Sequence, residues 1–125
     1  MPSKIIGVSG SLRRGSYNAA LLRAASALMP ADSQLQIESI AAFPLYNADD
    51  EAEGGIPEAV TRLKDLIADA DGLLLATPEY NNSLPGVAKN AIDWLSRPPK
   101  DIPRIFGGKP VAIIGASPGG FGTIL

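Results

Sequence analysis

Between residues 10 and 18 the chain reads Gly-Ser-Leu-Arg-Arg-Gly-Ser-Tyr-Asn, a run that gathers the hydroxyls of Ser11, Ser16 and Tyr17, the amide of Asn18 and the guanidinium of Arg13. All of these side chains donate hydrogen bonds, and their natural partner is an anion. The run stands directly after the apolar segment Ile5-Ile-Gly-Val-Ser9 and directly before a helical segment, Asn18 to Met29. A strand that ends in a tight turn and opens a helix aims backbone N–H groups and the positive end of the helix dipole at one point, where negative charge is favoured. The same residues fit a blander role, a polar turn with Ser16 or Asn18 as helix N-cap and with Arg13 and Arg14 simply solvated.

The spacing separates this loop from two better-known phosphate loops. A dinucleotide fingerprint needs G-x-G-x-x-G, whereas Gly7, Gly10 and Gly15 lie three and five residues apart. A triphosphate loop, G-x-x-x-x-G-K-[ST], is matched at Gly10 and Gly15, but Ser16 stands where the lysine for the outer phosphates belongs. Hydroxyls, an amide and a nearby arginine suit one terminal phosphate, as on a mononucleotide or flavin mononucleotide.

Two further polar loops carry groups of interest. Thr77-Pro-Glu-Tyr-Asn-Asn-Ser83 follows the apolar run Gly72-Leu-Leu-Leu-Ala76, and Ala116-Ser-Pro-Gly-Gly-Phe-Gly122 follows Pro110 to Gly115. Glycines in the last loop let a backbone approach a ligand closely. What the chain lacks is equally informative. It has no cysteine and no histidine, so disulfides, thiolate catalysis, Ser-His triads and imidazole or thiolate metal sites are excluded. A formal net charge of −2 provides no basic field for nucleic acid or an anionic membrane. With no apolar run near 18 residues and no signal-peptide region, the chain reads as a soluble, cytoplasmic protein.

The elements that position these loops alternate. At 125 residues the chain is expected to form one domain that buries about two-thirds of its unfolded surface. Strands are expected at Lys4 to Ser9, near Gln34 to Ile40, at Gly72 to Ala76 and at Pro110 to Gly115. The second alternates as an edge strand does, and the third, apolar throughout, as a central strand buried on both faces. Helices are expected from Asn18, with Leu21, Leu22, Ala25, Leu28 and Met29 as its stripe and Pro30 as its stop, and from Pro57, with Val60, Leu63, Leu66, Ile67 and Ala70. A third runs from Pro85 through Ile92, Trp94 and Leu95 to Pro98-Pro99. Ala41 to Gly55 has no period and reads as a surface loop with a subunit contact or plain solvation. Short apolar strands alternating with amphipathic helices specify an α/β fold with a parallel sheet covered on both faces. The three polar loops then leave one end of one sheet, where open α/β sheets bind their ligands.

These residues resemble the NADPH-dependent FMN reductases with a flavodoxin-like fold, which include quinone, chromate and azo-dye reductases. The likeness covers nearly the whole chain. It rests on Gly10-Ser-Leu-Arg13 with Ser16 and Asn18, on Thr77-Pro-Glu-Tyr-Asn81 with Ser83, on Lys89-Asn-Ala-Ile-Asp-Trp-Leu-Ser-Arg97, and on the glycine-rich loop from Ser117. The resemblance implies an open parallel sheet in the order 2-1-3-4-5 and a bound FMN. Ser11, Arg13, Ser16 and Asn18 would hold its phosphate, with Tyr17 beside them. Pro78, Glu79, Tyr80 and Asn81 would line the isoalloxazine, and Ser117, Gly119 and Gly120 its other edge. Family members continue for a further helix, a fifth strand and a last helix, so the chain ending at Leu125 reads as C-terminally truncated, its fourth strand left with an unpaired apolar edge.

The implied activity is transfer of hydride from NADPH or NADH to the flavin, followed by ping-pong delivery of electrons to a small acceptor such as a quinone, chromate or azo compound, in a homodimer or homotetramer. With no acid–base machinery in the loops, the cofactor would carry the chemistry while backbone N–H groups stabilise the reduced ring. A flavodoxin-like electron carrier and a nucleotide-binding α/β domain are the alternatives. Trp94 is expected in packing, and Lys89 with Asp93 as a helix-surface pair.

Overall fold

The computed structural model of the protein describes residues 2–119. Its strands are β1 (Ser3–Ser9), β2 (Ser33–Glu38), β3 (Gly72–Ala76) and β4 (Val111–Ile114). Its helices are α1 (Tyr17–Ala27), α2 (Ala48–Gly54), α3 (Glu58–Asp69), α4 (Gly86–Leu95) and α5 (Ile102–Phe106), with one turn of 3-10 helix at Pro99–Asp101. All four strands are parallel and stand in the order β2-β1-β3-β4, the flavodoxin-like order expected for this part of the sheet. No helix among the described residues is long and apolar enough to cross a membrane.

Register decides what the sheet presents to a ligand. Ser9 pairs with Ala76 and Ala76 with Ile114, so β1, β3 and β4 end level with one another. The loops that follow them therefore leave the sheet side by side. Two bonds lash their first residues together: Gly10 N–H donates to Ala76 O at 2.7 Å, and Thr77 N–H to Ile114 O at 3.0 Å.

The main core cluster lies on one face of the sheet, where Ile6 and Val8 of β1 meet Val60, Leu63 and Ile67 of α3 and Ala91, Trp94 and Leu95 of α4, while Leu22 and Leu35 are buried beside Gly7. Spacings of three, four and seven on α3 and α4 place these residues on one stripe of each helix. Trp94 is fully buried, packs edge-on against Tyr46 at 4.8 Å between centroids, and donates its indole N–H to Pro44 O. It belongs to packing, as its helical spacing suggests.

Four sequence expectations need correcting. Ala41 to Gly55 is not all loop: Asn47 caps Asp49 N–H and opens α2, whose first turn holds Asp49, Asp50 and Glu51 against the helix dipole. None of its residues is buried, so no apolar period marks it. A short helix, α5, follows α4 and covers the core with Ile105. Helix α1 closes at Ala27, leaving Leu28 84% exposed rather than in the buried stripe. Finally, Leu73, Leu74 and Leu75 of β3 are only half-buried. Leu73 and Leu75 line an open apolar groove of about 320 Å³ together with Ile92, Phe106, Val111 and Ile113. Val111 and Ile113 stay 48% and 59% exposed. Among the described residues β4 pairs on one side only, which is the unpaired apolar edge expected from the sequence.

The acidic α2 is held to the rest of the fold by charge. Tyr46 Oη donates to Glu51 Oε1 at 2.7 Å, and Arg97 Nε lies 2.9 Å and 3.1 Å from the two Glu51 oxygens. The Tyr46 hydroxyl foremost, and Arg97 with it, hold the Glu51 carboxyl below the usual carboxylate value. Lys64, buried on α3, donates to Arg97 O and to Asp101 Oδ2, and its ammonium holds the Asp101 carboxyl low in the same way.

Candidate functional site

At the level strand ends, a cleft of about 260 Å³ opens among the three loops. Nine of the sequence-predicted residues line it: Ser11, Arg13, Ser16, Tyr17 and Asn18 from the first loop, Pro78, Glu79 and Tyr80 from the second, and Ser117 from the third. Their chain separation is large, yet the sheet register delivers them to one place.

The first loop is built by short polar contacts. The Ser9 hydroxyl accepts from Ser11 N–H and donates to Ser11 O, both at 3.1 Å, closing the turn out of β1. Gly10 has no room for a side chain, since a Cβ there would collide with Thr77 Oγ1. Gly15 has φ of +65°, the left-handed region open to glycine, and turns the chain into α1. Ser16 is the N-cap, its Oγ accepting from Ala19 N–H at 3.1 Å. A hydroxyl that accepts still has its own hydrogen to give, so the cap and a ligand contact are compatible duties. Arg13 is exposed, its guanidinium 5.4 Å from the centre of the Tyr17 ring and its Nη2 3.4 Å from Gly15 O. That stacking keeps the charge at the mouth of the cleft.

In the second loop, Tyr80 and Ser83 exchange backbone bonds at 3.0 Å and 3.3 Å around Asn81 and Asn82, whose φ values are 56° and 63°. Two successive left-handed residues make a tight hairpin turn, a conformation that asparagine tolerates. Asn81 thus sits at the exposed tip and is not among the residues lining the cleft. Tyr80 is 52% exposed beside the cleft. In the third loop, Ser117 Oγ donates to Gly119 O at 3.3 Å, and both residues are exposed. Gly120 lies outside the described residues.

Sequence reasoning passed over Ser9, Thr77, Ala116 and Pro118. Ala116 and Pro118 line the cleft, but they contribute backbone and shape, which no residue type announces. Ser9 and Thr77 were legible only as strand ends; Thr77 is buried and donates to Pro78 O.

The donor set fits a flavin phosphate. Two buried serines, a helix N-terminus and a stacked arginine face the cleft from one side, and a proline, a half-exposed tyrosine and a small-residue loop face it from the other. The chain matches the family model described as NADPH-dependent FMN reductase over residues 3–125. The chain belongs to that family. Among family relatives, it is 54% identical over 120 residues to an NAD(P)H-dependent FMN reductase of Pseudomonas aeruginosa, covering 96% of this chain and 63% of the relative. It is 49% identical to a 2-hydroxy-1,4-benzoquinone reductase of a Burkholderia species, covering all of this chain and 66% of the relative. Among solved structures, it resembles FerB, a flavoenzyme NAD(P)H:(acceptor) oxidoreductase of Paracoccus denitrificans, with a TM-score of 0.83 and 42% identity over 94% of this chain and 62% of that one. The chain therefore spans less than two thirds of the length of these relatives.

Proposed function

We propose that the protein is an FMN-dependent NAD(P)H oxidoreductase that passes electrons by a ping-pong mechanism to small acceptors such as quinones. The observation that carries this proposal is the convergence of the three loops on one cleft at the level ends of β1, β3 and β4. Relatives that share about half of its residues are named FMN and quinone reductases, which supports the same conclusion.

The geometry supports a division of labour. Ser11 and Ser16, both buried, offer hydroxyl donors beside the α1 N-terminus, and Arg13 adds a charge that neutralises a terminal phosphate at the mouth. Pro78, Glu79 and Tyr80 form one wall for the flat ring, and the backbone around Ser117 forms the other edge. FMN, when bound, would supply the hydride and electron chemistry, which no protein side chain here provides, while the chain supplies binding and orientation. The half-exposed Tyr80 leaves one side of the cleft open, so donor and acceptor use one face in turn. The protein works as a homodimer or homotetramer in the cytoplasm. Exposed Leu12, Leu84 and Val87, in or next to the cleft loops, are the surface a second copy would cover.

Steady-state oxidation of NADPH with a simple quinone tests the proposal on the full-length, FMN-loaded protein. Parallel double-reciprocal lines are expected. Failure to turn over without a partner reductase would identify a carrier instead.

A further inference from the structure

Asn18 is the second residue of α1 and only 3% exposed, yet its side chain reaches across to the far end of the chain. Its Nδ2 donates to Ala116 O at 3.2 Å, and Ala116 N–H donates to its Oδ1 at 3.0 Å. The two residues are 98 positions apart. An amide side chain that gives one bond to and takes one from the backbone of the same residue copies the pairing of a residue in a sheet ladder. The rung stands just past the end of β4 at Ile114, where Gly115 and Ala116 have left the sheet and Ser117 begins the third wall of the cleft.

We infer that Asn18 is a positioning residue: it sets the height of the third loop, and hence the ring side of the cleft, against the phosphate loop. This inference rests on the FMN proposal above. Three features support it. Both polar atoms of the amide already have backbone partners. The peptide it holds is next to Ser117, which lines the cleft. No other side chain among the described residues hydrogen-bonds to Ala116. A single residue thereby couples the two halves of the site, so that ordering one loop orders the other.

Asn18→Ala in the full-length protein separates the two roles when the dissociation constants of FMN and of riboflavin, which lacks the phosphate, are compared with those of the unaltered protein. A loop-positioning role weakens both flavins by the same factor, roughly tenfold for two buried hydrogen bonds. Loss of FMN affinity with riboflavin unchanged would overturn the inference and return Asn18 to the phosphate. Binding of neither flavin by the unaltered protein would overturn the FMN proposal itself, a distinct result. Amide exchange followed residue by residue needs no variant: in the unaltered, flavin-free protein the Ala116 N–H is expected to exchange as slowly as the amides of β4. Exchange at the rate of an exposed loop amide would show that the rung does not hold and would also overturn the inference.

Discussion

The side chains of the first loop divide into those that face the cleft and those that build it. Ser11, Arg13 and Ser16 face it, and Arg13→Ala combined with Ser16→Ala is expected to weaken FMN binding about tenfold to a hundredfold, since hydrogen bonds to a charged group contribute roughly 1.5–3 kcal/mol and Arg13 is solvent-exposed. Titration by flavin fluorescence checks this, with a thermal melt to confirm that the double variant still folds. Gly10 builds the cleft. Gly10→Ala forces a Cβ onto Thr77, and the expected cost is about 1–3 kcal/mol of stability, as for other overpacked sites, measured by urea denaturation. The order Gly-Ser-x-Arg-x-Gly-Ser made these cleft-lining residues legible from sequence, because local spacing places them on one turn. Asn18 shows the limit: its partner at Ala116 is remote in the chain, and the registers of β1 on β3 and of β3 on β4 bring them together.

Strands announce themselves as apolar runs, and all four were legible to within a few residues; Gly72–Ala76 matched at both ends. Helices α3 and α4 were legible for the same reason, each having a buried stripe. What escaped were α2, which buries nothing and rests on a cap and three acids, and α5, which is five residues long and carries a proline in its first turn. Trp94 ties α4 to the segment before α2, and Trp94→Ala is expected to cost about 3–5 kcal/mol by emptying a fully buried site; chemical denaturation reads it. The Tyr46–Glu51–Arg97 cluster predicts a pH effect. Because the folded protein holds the Glu51 carboxyl below its unfolded value, its contribution is fully present above the ordinary carboxylate range of about 4 and is lost as pH falls through the lowered value. Glu51→Gln is expected to lower the melting temperature at neutral pH and to narrow the difference between neutral and acid melts. An unchanged difference would remove Glu51 from the account.

Across the molecule, the sheet order β2-β1-β3-β4 was inferred from pattern and likeness, and the register explains why that order matters. Strands that end level turn three loops scattered over more than 100 residues into one cleft. The apolar run of β3 signals a strand covered on both faces, and among the described residues, in a chain that spans less than two thirds of its relatives' length, Leu73 and Leu75 line an open groove beside β4. The proposed flavin chemistry belongs to this cleft. The visible absorption spectrum of the full-length protein after loading with FMN and gel filtration is the decisive measurement. The account predicts a retained flavin band that bleaches with NADPH and returns when a quinone is added. A protein that emerges colourless, or whose flavin band NADPH leaves unchanged, would contradict it.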